Sequence, residues 1–142
     1  MVPSVVLDTN VLVAGLSSRL GAPFRLLEHL LDGRFELLGT PALWLEYEAV
    51  LKRDDIASLH GLDGAALENF LDGIAHLTRA VRLHYVWRPQ LRDAGDELVL
   101  ELAVNGQAHV LVTRNVRDFE HAAPRFGLRI ATPKAFLASL EN

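Results

Sequence analysis

Short apolar runs alternate with amphipathic segments along almost the whole of this 142-residue chain. Such runs suit strands, and segments that repeat apolar residues every three or four positions suit helices. Strands and helices in alternation are typical of a parallel sheet, because parallel strands need long crossover connections. We therefore predict an α/β fold with helices on both faces of the sheet, in three layers. The predicted strands cover residues 4–7, 35–38, 81–85, 109–112 and 129–130.

Capping and turn residues mark the helices between these strands. One helix is predicted over residues 23–31, where Asp32 and Gly33 end the apolar periodicity. Thr40 can cap the next helix, and Pro41 suits its first position. Further helices are predicted over residues 64–78, from the cap Asp93 to residues 105–106, and from Pro133 onward.

Composition limits the class of protein. Half of the residues are hydrophobic and 23% are charged, so the chain can bury a core, and its length suits one domain, residues 1–142. It has no cysteine, which excludes disulfides and thiolate metal sites and fits a cytoplasmic location. We expect neither a signal peptide nor a membrane partner, since no apolar run approaches membrane-spanning length. The formal net charge of −4 opposes nucleic-acid binding by counterion release alone, although a bound cation would reverse the local charge.

Asp8 directly follows the apolar run of the first strand, and Thr9 and Asn10 come after it. Open α/β sheets place their sites at the carboxyl ends of strands, so Asp8 is a candidate site residue. The alternative is that Asp8 only caps the following helix. Asn10 is the better-placed cap for a helix that starts near Val11, which leaves Asp8 for another role.

Two glutamates lie on the helix that follows Pro41, and residues two apart do not share a helix face. Glu46 borders the buried stripe of that helix and can lean toward the edge of the sheet. Glu48 stands four residues before Lys52 and is expected to form an exposed ion pair. We therefore choose Glu46 as a site residue, and the alternative is a solvated residue on the flank of the stripe.

Asp93 and Asp96 begin the fourth predicted helix, where acidic residues also interact favourably with the helix dipole. Asp93 fits the role of the cap. Asp96 lies on the continuation of the buried face, and a carboxylate there needs a partner. A cation shared with Asp8 and Glu46 would be such a partner, and a purely structural first-turn acid is the alternative.

Thr113 and Asn115 follow the fourth predicted strand and can bind water or a phosphate oxygen, although a plain turn explains them equally well. Convergent carboxylates suit a hard cation such as Mg²⁺, which lowers the pKa of bound water and stabilises charge on a phosphate. The sequence contains no Ser/His/Asp or Cys/His arrangement, zinc-type histidine spacing or glycine-rich phosphate loop that competes with this hypothesis. Metal-assisted chemistry at a phosphate is therefore the predicted activity.

Together these pieces resemble the PIN-domain family, and within it the bacterial toxin components of toxin–antitoxin systems. The matching text is Val-Val-Leu-Asp-Thr-Asn-Val-Leu at 5–12, Leu-Glu-Tyr at 45–47 with Val-Leu at 50–51, Asp-Ala-Gly-Asp at 93–96, and Leu-Val-Thr-Arg-Asn at 111–115. Each piece is short, but their order and spacing are specific and span nearly the whole chain.

The resemblance implies a PIN-like parallel sheet, dependence on Mg²⁺ or Mn²⁺, and endoribonuclease activity. It also implies an RNA substrate and a protein antitoxin, and with it we expect a homo-oligomer, a dimer. The family's metal-binding and catalytic acids fall on Asp8, Glu46 and Asp96. Its supporting polar positions fall on Thr9, Asn10 and Thr113.

One position departs from that family pattern. Many members carry Asp after the fourth strand, where this chain has Asn115, so the site has one negative charge fewer there. One firmly held metal ion is then expected rather than two, unless the turn brings Asp118 back to the cluster. We keep Asn115 as a residue that supports the bound cation.

Two other functions remain as alternatives. A receiver-like signalling domain would also place Asp8 after the first strand, Thr113 after the fourth and Lys134 after the fifth. Against it, no second acid adjoins Asp8 and no aspartate ends the third predicted strand. The other alternative is a binding module that keeps the acids without catalysing a reaction, and metal-dependent cleavage of RNA separates an enzyme from such a module.

Overall fold

The computed structural model describes residues 2–84, 91 and 93–142. Its strands are β1 (Ser4–Leu7), β2 (Glu36–Gly39), β3 (Thr78–Ala80), β4 (Val110–Val112) and β5 (Ile130–Ala131). They form one parallel sheet in the order β3-β2-β1-β4-β5. Helices pack on both faces of this sheet, which confirms the predicted three-layer α/β fold.

The helices begin at the predicted residues in three cases, after the caps Thr40 and Asp93 and at Pro133. Those in the described residues are α1 (Thr9–Ser17), α2 (Ala22–Leu31), α3 (Pro41–Leu51), α4 (Asp54–His60), α5 (Gly64–His76), α6 (Ala94–Asn105), α7 (Ala123–Phe126) and α8 (Pro133–Glu141). Thr40 caps α3 by accepting from the N–H of Leu43, and Thr132 caps α8 by accepting from the N–H of Ala135. A 3₁₀ helix, Val116–Phe119, follows β4. No helix in the described part of the chain has the length and apolar character needed to cross a membrane.

The strand order places a switch point between β1 and β4. From β1 the chain moves outward through β2 to β3, then returns to β4 on the other side of β1 and continues to β5. Connections therefore leave β1 and β4 in opposite directions, and the carboxyl ends of these two strands border a crevice. Ligand sites of open α/β sheets form in such crevices.

The two strands at the switch point are buried on both faces. Val5, Val6 and Leu7 of β1 are fully buried, and so are Leu111 and Val112 of β4. Burial on both faces explains why these strands are continuous apolar runs rather than alternating patterns. Apart from Ser4 at the start of β1, the polar residues here come only after the strands end, at the carboxyl edge of the sheet.

Two predicted boundaries are wrong in the region of β3. The strand covers Thr78–Ala80 instead of residues 81–85, and the helix predicted over residues 64–78 ends two residues earlier, as α5. Pairing with β2 places Ala80 opposite Gly39, where β2 itself ends. Of the predicted segment, residues 81–84 are not in a strand and Tyr85 lies outside the described residues. An edge strand pairs on one side only, so its sequence needs few apolar residues and carries a weak signal.

The start of α1 also differs from the prediction. α1 begins at Thr9, two residues before the expected start near Val11, because the N–H of Val11 bonds to the carbonyl of Asp8 directly after β1. Asp8 holds the capping position, yet its side chain makes no capping hydrogen bond. The prediction that Asn10 caps this helix is therefore wrong.

Two helical glycines provide a matched test of the packing. A Cβ on Gly15 would lie 2.6 Å from Leu27 Cδ1 and 3.1 Å from the Pro23 carbonyl oxygen, whereas one on Gly73 would meet nothing within 4 Å. We predict that Gly15→Ala lowers the free energy of unfolding by about 1 kcal/mol through overpacking of α1 against α2. Gly73→Ala should raise it by about 0.5 kcal/mol through higher helix propensity. Urea denaturation of both variants checks this, and equal effects would contradict the close approach of α1 and α2.

Candidate active site

Asp8 is the buried carboxylate at the end of β1. It is 7% exposed, and its Oδ2 accepts a hydrogen bond of 2.8 Å from Thr113 Oγ1. Burial raises the pKa of Asp8 above its ordinary value, although the hydrogen bonds from Thr113 and from the backbone N–H of Thr9 act in the opposite direction. Repulsion from Asp118 and Asp93 raises it further. Asp8 is thus a carboxylate held in place by hydrogen bonds, without an ion-pair partner among the described residues.

Thr113 joins the ends of β1 and β4. It is fully buried, and its hydroxyl donates to Asp8 while accepting from the backbone N–H of Asn115 at 3.0 Å. At the next residue, the N–H of Arg114 donates to Asn10 Oδ1 at 3.2 Å. Asn10 therefore holds the turn after β4 instead of capping α1. The predicted polar positions Asn10 and Thr113 do lie together beside Asp8.

Tyr47 supports this end of β1 from α3. Its hydroxyl is fully buried and donates to the carbonyl oxygen of Leu7, the last residue of β1. Burial raises the pKa of Tyr47, and the charge of Asp8 raises it further, so the hydroxyl stays protonated as a donor. The bond ties α3 to the strand end and so positions Glu46, one residue earlier.

Asp96 lies in the first turn of α6, where its charge is coupled to the other acids. Asp93 is the cap that the sequence predicts, because its Oδ1 accepts from the N–H of Asp96 at 3.0 Å. Partial burial raises the pKa of Asp96 to about 6, and repulsion from Asp8, Asp93 and Asp118 adds to the effect. Asp93, Asp96 and Asp118 line one cleft, and Asp8 lies near enough to interact with them electrostatically. We call these four carboxylates the acidic cluster.

Asp118 enters the acidic cluster from the 3₁₀ helix after β4. Its N–H donates to the carbonyl oxygen of Asn115 at 3.0 Å, and its charge acts on both Asp8 and Asp96. Sequence reasoning offered Asp118 only as a conditional replacement for the charge missing at Asn115, and the turn does bring it back. The acidic cleft beside it has a volume of about 520 Å³. Its lining residues are Leu91, Asp93, Asp96, Asn115, Arg117, Asp118 and His121.

The two glutamates of α3 lie in different surroundings, as predicted. A Cβ on Gly95 would lie 3.1 Å from Glu46 Oε1 and 3.0 Å from Asp93 Oδ1, so the glycine leaves a small cradle bordered by two carboxylates. Glu46 thus reaches the start of α6. Glu48 Oε2 instead lies 3.9 Å from Lys52 Nζ, in the expected ion pair.

The chemistry of these donors fits a hard divalent cation. The side chains offer carboxylate, amide and hydroxyl oxygens, which are the ligands that Mg²⁺ prefers. Burial raises the pKa of both Asp8 and Asp96, and repulsion from neighbouring carboxylates raises both further. Within residues 2–84, 91 and 93–142, no three acidic or histidine side chains already form a group that could hold a metal ion. The metal-binding roles of Asp8, Glu46 and Asp96 therefore stay predictions.

Comparison with known proteins gives one family match and a fold match. The model of the PIN domain family matches residues 4–117, a range that contains all the predicted site residues and ends one residue before Asp118. A similar fold occurs in the crystal structure of VapBC2 from Rickettsia felis bound to a DNA fragment from their promoter, with a TM-score of 0.54. That alignment covers 91% of this chain and 98% of the other at 15% identity, and it shows a shared fold alone. No curated protein gives a significant sequence match.

The raised pKa of Asp96 predicts a pH dependence of stability. The folded protein holds the Asp96 proton up to about pH 6, above the ordinary value of 3.8. The contribution of the Asp96 carboxyl to stability is therefore fully present at a pH below its ordinary pKa of 3.8, and it is lost as the pH rises through about 6. Without metal, Asp96→Asn should be more stable than wild type at pH 7 by about 1 kcal/mol, allowing for solvent screening. The difference should vanish near pH 4.

Urea denaturation of metal-free protein at several pH values measures this difference. Asp72→Asn, an exposed position on α5, is the control for the loss of one acid remote from the acidic cluster. The difference in the free energy of unfolding between wild type and Asp96→Asn could instead be constant with pH, or equally large for Asp72→Asn. Either result would disprove the interaction of Asp96 with the other acids.

Proposed function

We propose, because the chain belongs to the PIN domain family, that it is a metal-dependent endoribonuclease and the toxin component of a toxin–antitoxin pair. The observation that carries this proposal is the convergence of Asp8, Asp96 and Asp118 at the crevice between β1 and β4. Carboxylates that repel one another there are stabilised by a bound cation, and a cation so held attracts a phosphate.

Asp8, Glu46 and Asp96 would hold a Mg²⁺ or Mn²⁺ ion, and Asp118 would add a further acid. Such an ion, when bound, lowers the pKa of water and stabilises negative charge on a phosphodiester. Glu46 has room to reach the start of α6 because Gly95 has no side chain. These four roles, together with the role of Asp93 as the cap of α6, account for the acids that gather at the carboxyl edge of the sheet.

The neighbouring polar residues prepare the site before substrate binds. Thr113 and the N–H of Thr9 hold the Asp8 carboxylate, so Asp8 loses little freedom when it binds a ligand. Asn10 holds the turn that carries Asn115. The neutral Asn115 amide can donate a hydrogen bond to a phosphate oxygen without repelling it. Arg117 lines the same cleft and offers positive charge to the substrate.

The protein partners belong to the same proposal. The motif resemblance to toxin components supports a protein antitoxin, and with it we propose a homo-oligomer, a dimer. The fold match to VapBC2 agrees with membership in such a pair. We also propose that residues 1–142 form a single nuclease domain. A cytoplasmic location agrees with a chain that contains no cysteine.

Cleavage of RNA by the purified protein, with and without Mg²⁺ or Mn²⁺, tests the activity. Asp8→Asn keeps the shape of the side chain and removes one charge, so we expect the cleavage rate to fall about 100-fold or more. Near-normal activity in a folded Asp8→Asn protein would refute the site. A wild-type protein that binds RNA but never cleaves it with either metal would instead be a binding module.

Glu46→Gln and Glu48→Gln are a matched pair on one helix. We expect Glu46→Gln to lower the cleavage rate about 100-fold, because its carboxylate borders the acidic cluster. Glu48→Gln should change the rate less than about threefold, because it removes only an exposed ion pair with Lys52. The opposite order would show that Glu48 is the functional glutamate.

The acidic cleft has one negative charge fewer because residue 115 is Asn and not Asp. We predict that wild type binds one Mn²⁺ ion well and that Asn115→Asp tightens this binding about tenfold or adds a second ion. Asp118→Asn should weaken binding, because it removes a charge that acts on Asp8 and Asp96. Calorimetric titration with Mn²⁺ measures both variants. Unchanged stoichiometry and affinity in Asn115→Asp would mean that Asn115 points away from the ion.

A further inference from the structure

A second cleft, which we call the basic groove, adjoins the acidic cleft. It has a volume of about 820 Å³ and lies between the end of α1, the start of α2 and the start of α8. Arg114 lines the basic groove, and the next residue, Asn115, lines the acidic cleft. Both clefts therefore border the turn after β4. Besides Arg114, the groove presents Arg25, Lys134, Leu20, Pro23 and Leu137.

Two cations of the basic groove have no carboxylate partner among the described residues. Lys52, by comparison, pairs with Glu68 at 2.9 Å. Arg114 and Lys134 are exposed, and neither forms an ion pair with any residue that the structure describes. Arg25, by contrast, is already bound to Glu141 of α8. Arg114 and Lys134 thus leave uncompensated positive charge beside the acidic cluster.

The backbone fixes where these two cations lie. The N–H of Arg114 donates to Asn10 Oδ1, and the preceding residue, Thr113, is anchored to Asp8. Lys134 lies in the first turn of α8, whose start is fixed by the Thr132 cap. Both positions follow strands at the switch-point side of the sheet, β4 and β5. The backbone positions from which the two cationic side chains extend are therefore fixed at one side of the acidic cluster.

We propose that the basic groove binds the sugar–phosphate backbone of the RNA strand beside the phosphate that occupies the acidic cleft, with Arg114 and Lys134 each contacting a phosphate. The identification of RNA as the ligand rests on the proposed function. A strand in the acidic cleft can continue past the turn after β4 into the groove, where its flanking phosphates neutralise Arg114 and Lys134. Leu20, 87% exposed at the groove, offers an apolar surface for a base.

Charge and position favour RNA over a protein segment in this groove. An acidic peptide could neutralise the same two cations, but nothing about it requires a groove that borders the acidic cleft. A nuclease substrate uses a surface next to the cleaved bond, because its chain extends beyond that bond. The basic groove also offers a polyanion a local positive surface on a chain whose net charge of −4 opposes its approach.

Binding of a labelled oligouridylate of about ten nucleotides, measured by fluorescence anisotropy in EDTA, tests the proposal apart from cleavage. Arg114→Gln and Lys134→Gln should each weaken binding about three- to tenfold and lower the slope of log affinity against log salt by about 0.7. Arg129→Gln is the matched control, since this exposed arginine lies before β5, at the opposite end of the sheet. It should change affinity less than about twofold.

The outcomes separate this proposal from the proposed function. RNA cleavage with unchanged oligouridylate affinity in both groove variants would overturn the groove assignment and leave the nuclease standing. Weaker binding in Arg114→Gln and Lys134→Gln, without metal-dependent cleavage in wild type, would support the groove and refute the activity. If only an acidic peptide, such as an oligoglutamate, lost affinity in the groove variants, the groove would be a protein-binding site and the proposal wrong.

Discussion

The hydrogen bond from Thr113 to Asp8 is the contact on which the rest of the site depends. It joins the residues that follow β1 and β4, the two strands that meet at the switch point, and it holds a buried carboxylate. The same hydroxyl accepts from the N–H of Asn115, which starts the turn that carries Asp118. The buried Thr113 hydroxyl therefore positions the turn that borders both the acidic cleft and the basic groove.

The acidic cluster opposes the stability of the fold that carries it. Burial raises the pKa of Asp8 and Asp96, and each of these acids is also repelled by Asp93 and Asp118. A protein that gathers such acids without a cation is less stable at neutral pH, and binding of a cation restores the loss. The fully buried strands β1 and β4 supply the rigid support against this repulsion. Functional sites commonly lower stability in this way.

Several features could be predicted from the sequence because independent signals agreed. Apolar runs located β1 and β4, because most residues of these strands are buried on both faces. The caps Thr40 and Asp93 located the starts of α3 and α6, and Pro133 located the start of α8. The position of β3 could not be predicted, because its pairing with β2 sets it. Asp118 could be named only conditionally, since its approach to Asp8 depends on the 3₁₀ helix after β4. The hydrogen bond of Asn10 to the Arg114 N–H joins residues distant in sequence and carries no local signal.

The melting temperature of metal-free protein as Mn²⁺ is added tests most directly whether the acids form a cation site. At neutral pH, a cation site predicts a rise of several degrees that grows with Mn²⁺ concentration. The rise should persist in Asp72→Asn and disappear in Asp8→Asn, because Asp8 belongs to the acidic cluster and Asp72 does not. A wild-type melting temperature that stays constant up to high millimolar Mn²⁺, or that rises equally in Asp8→Asn, would contradict a cation site at the end of β1.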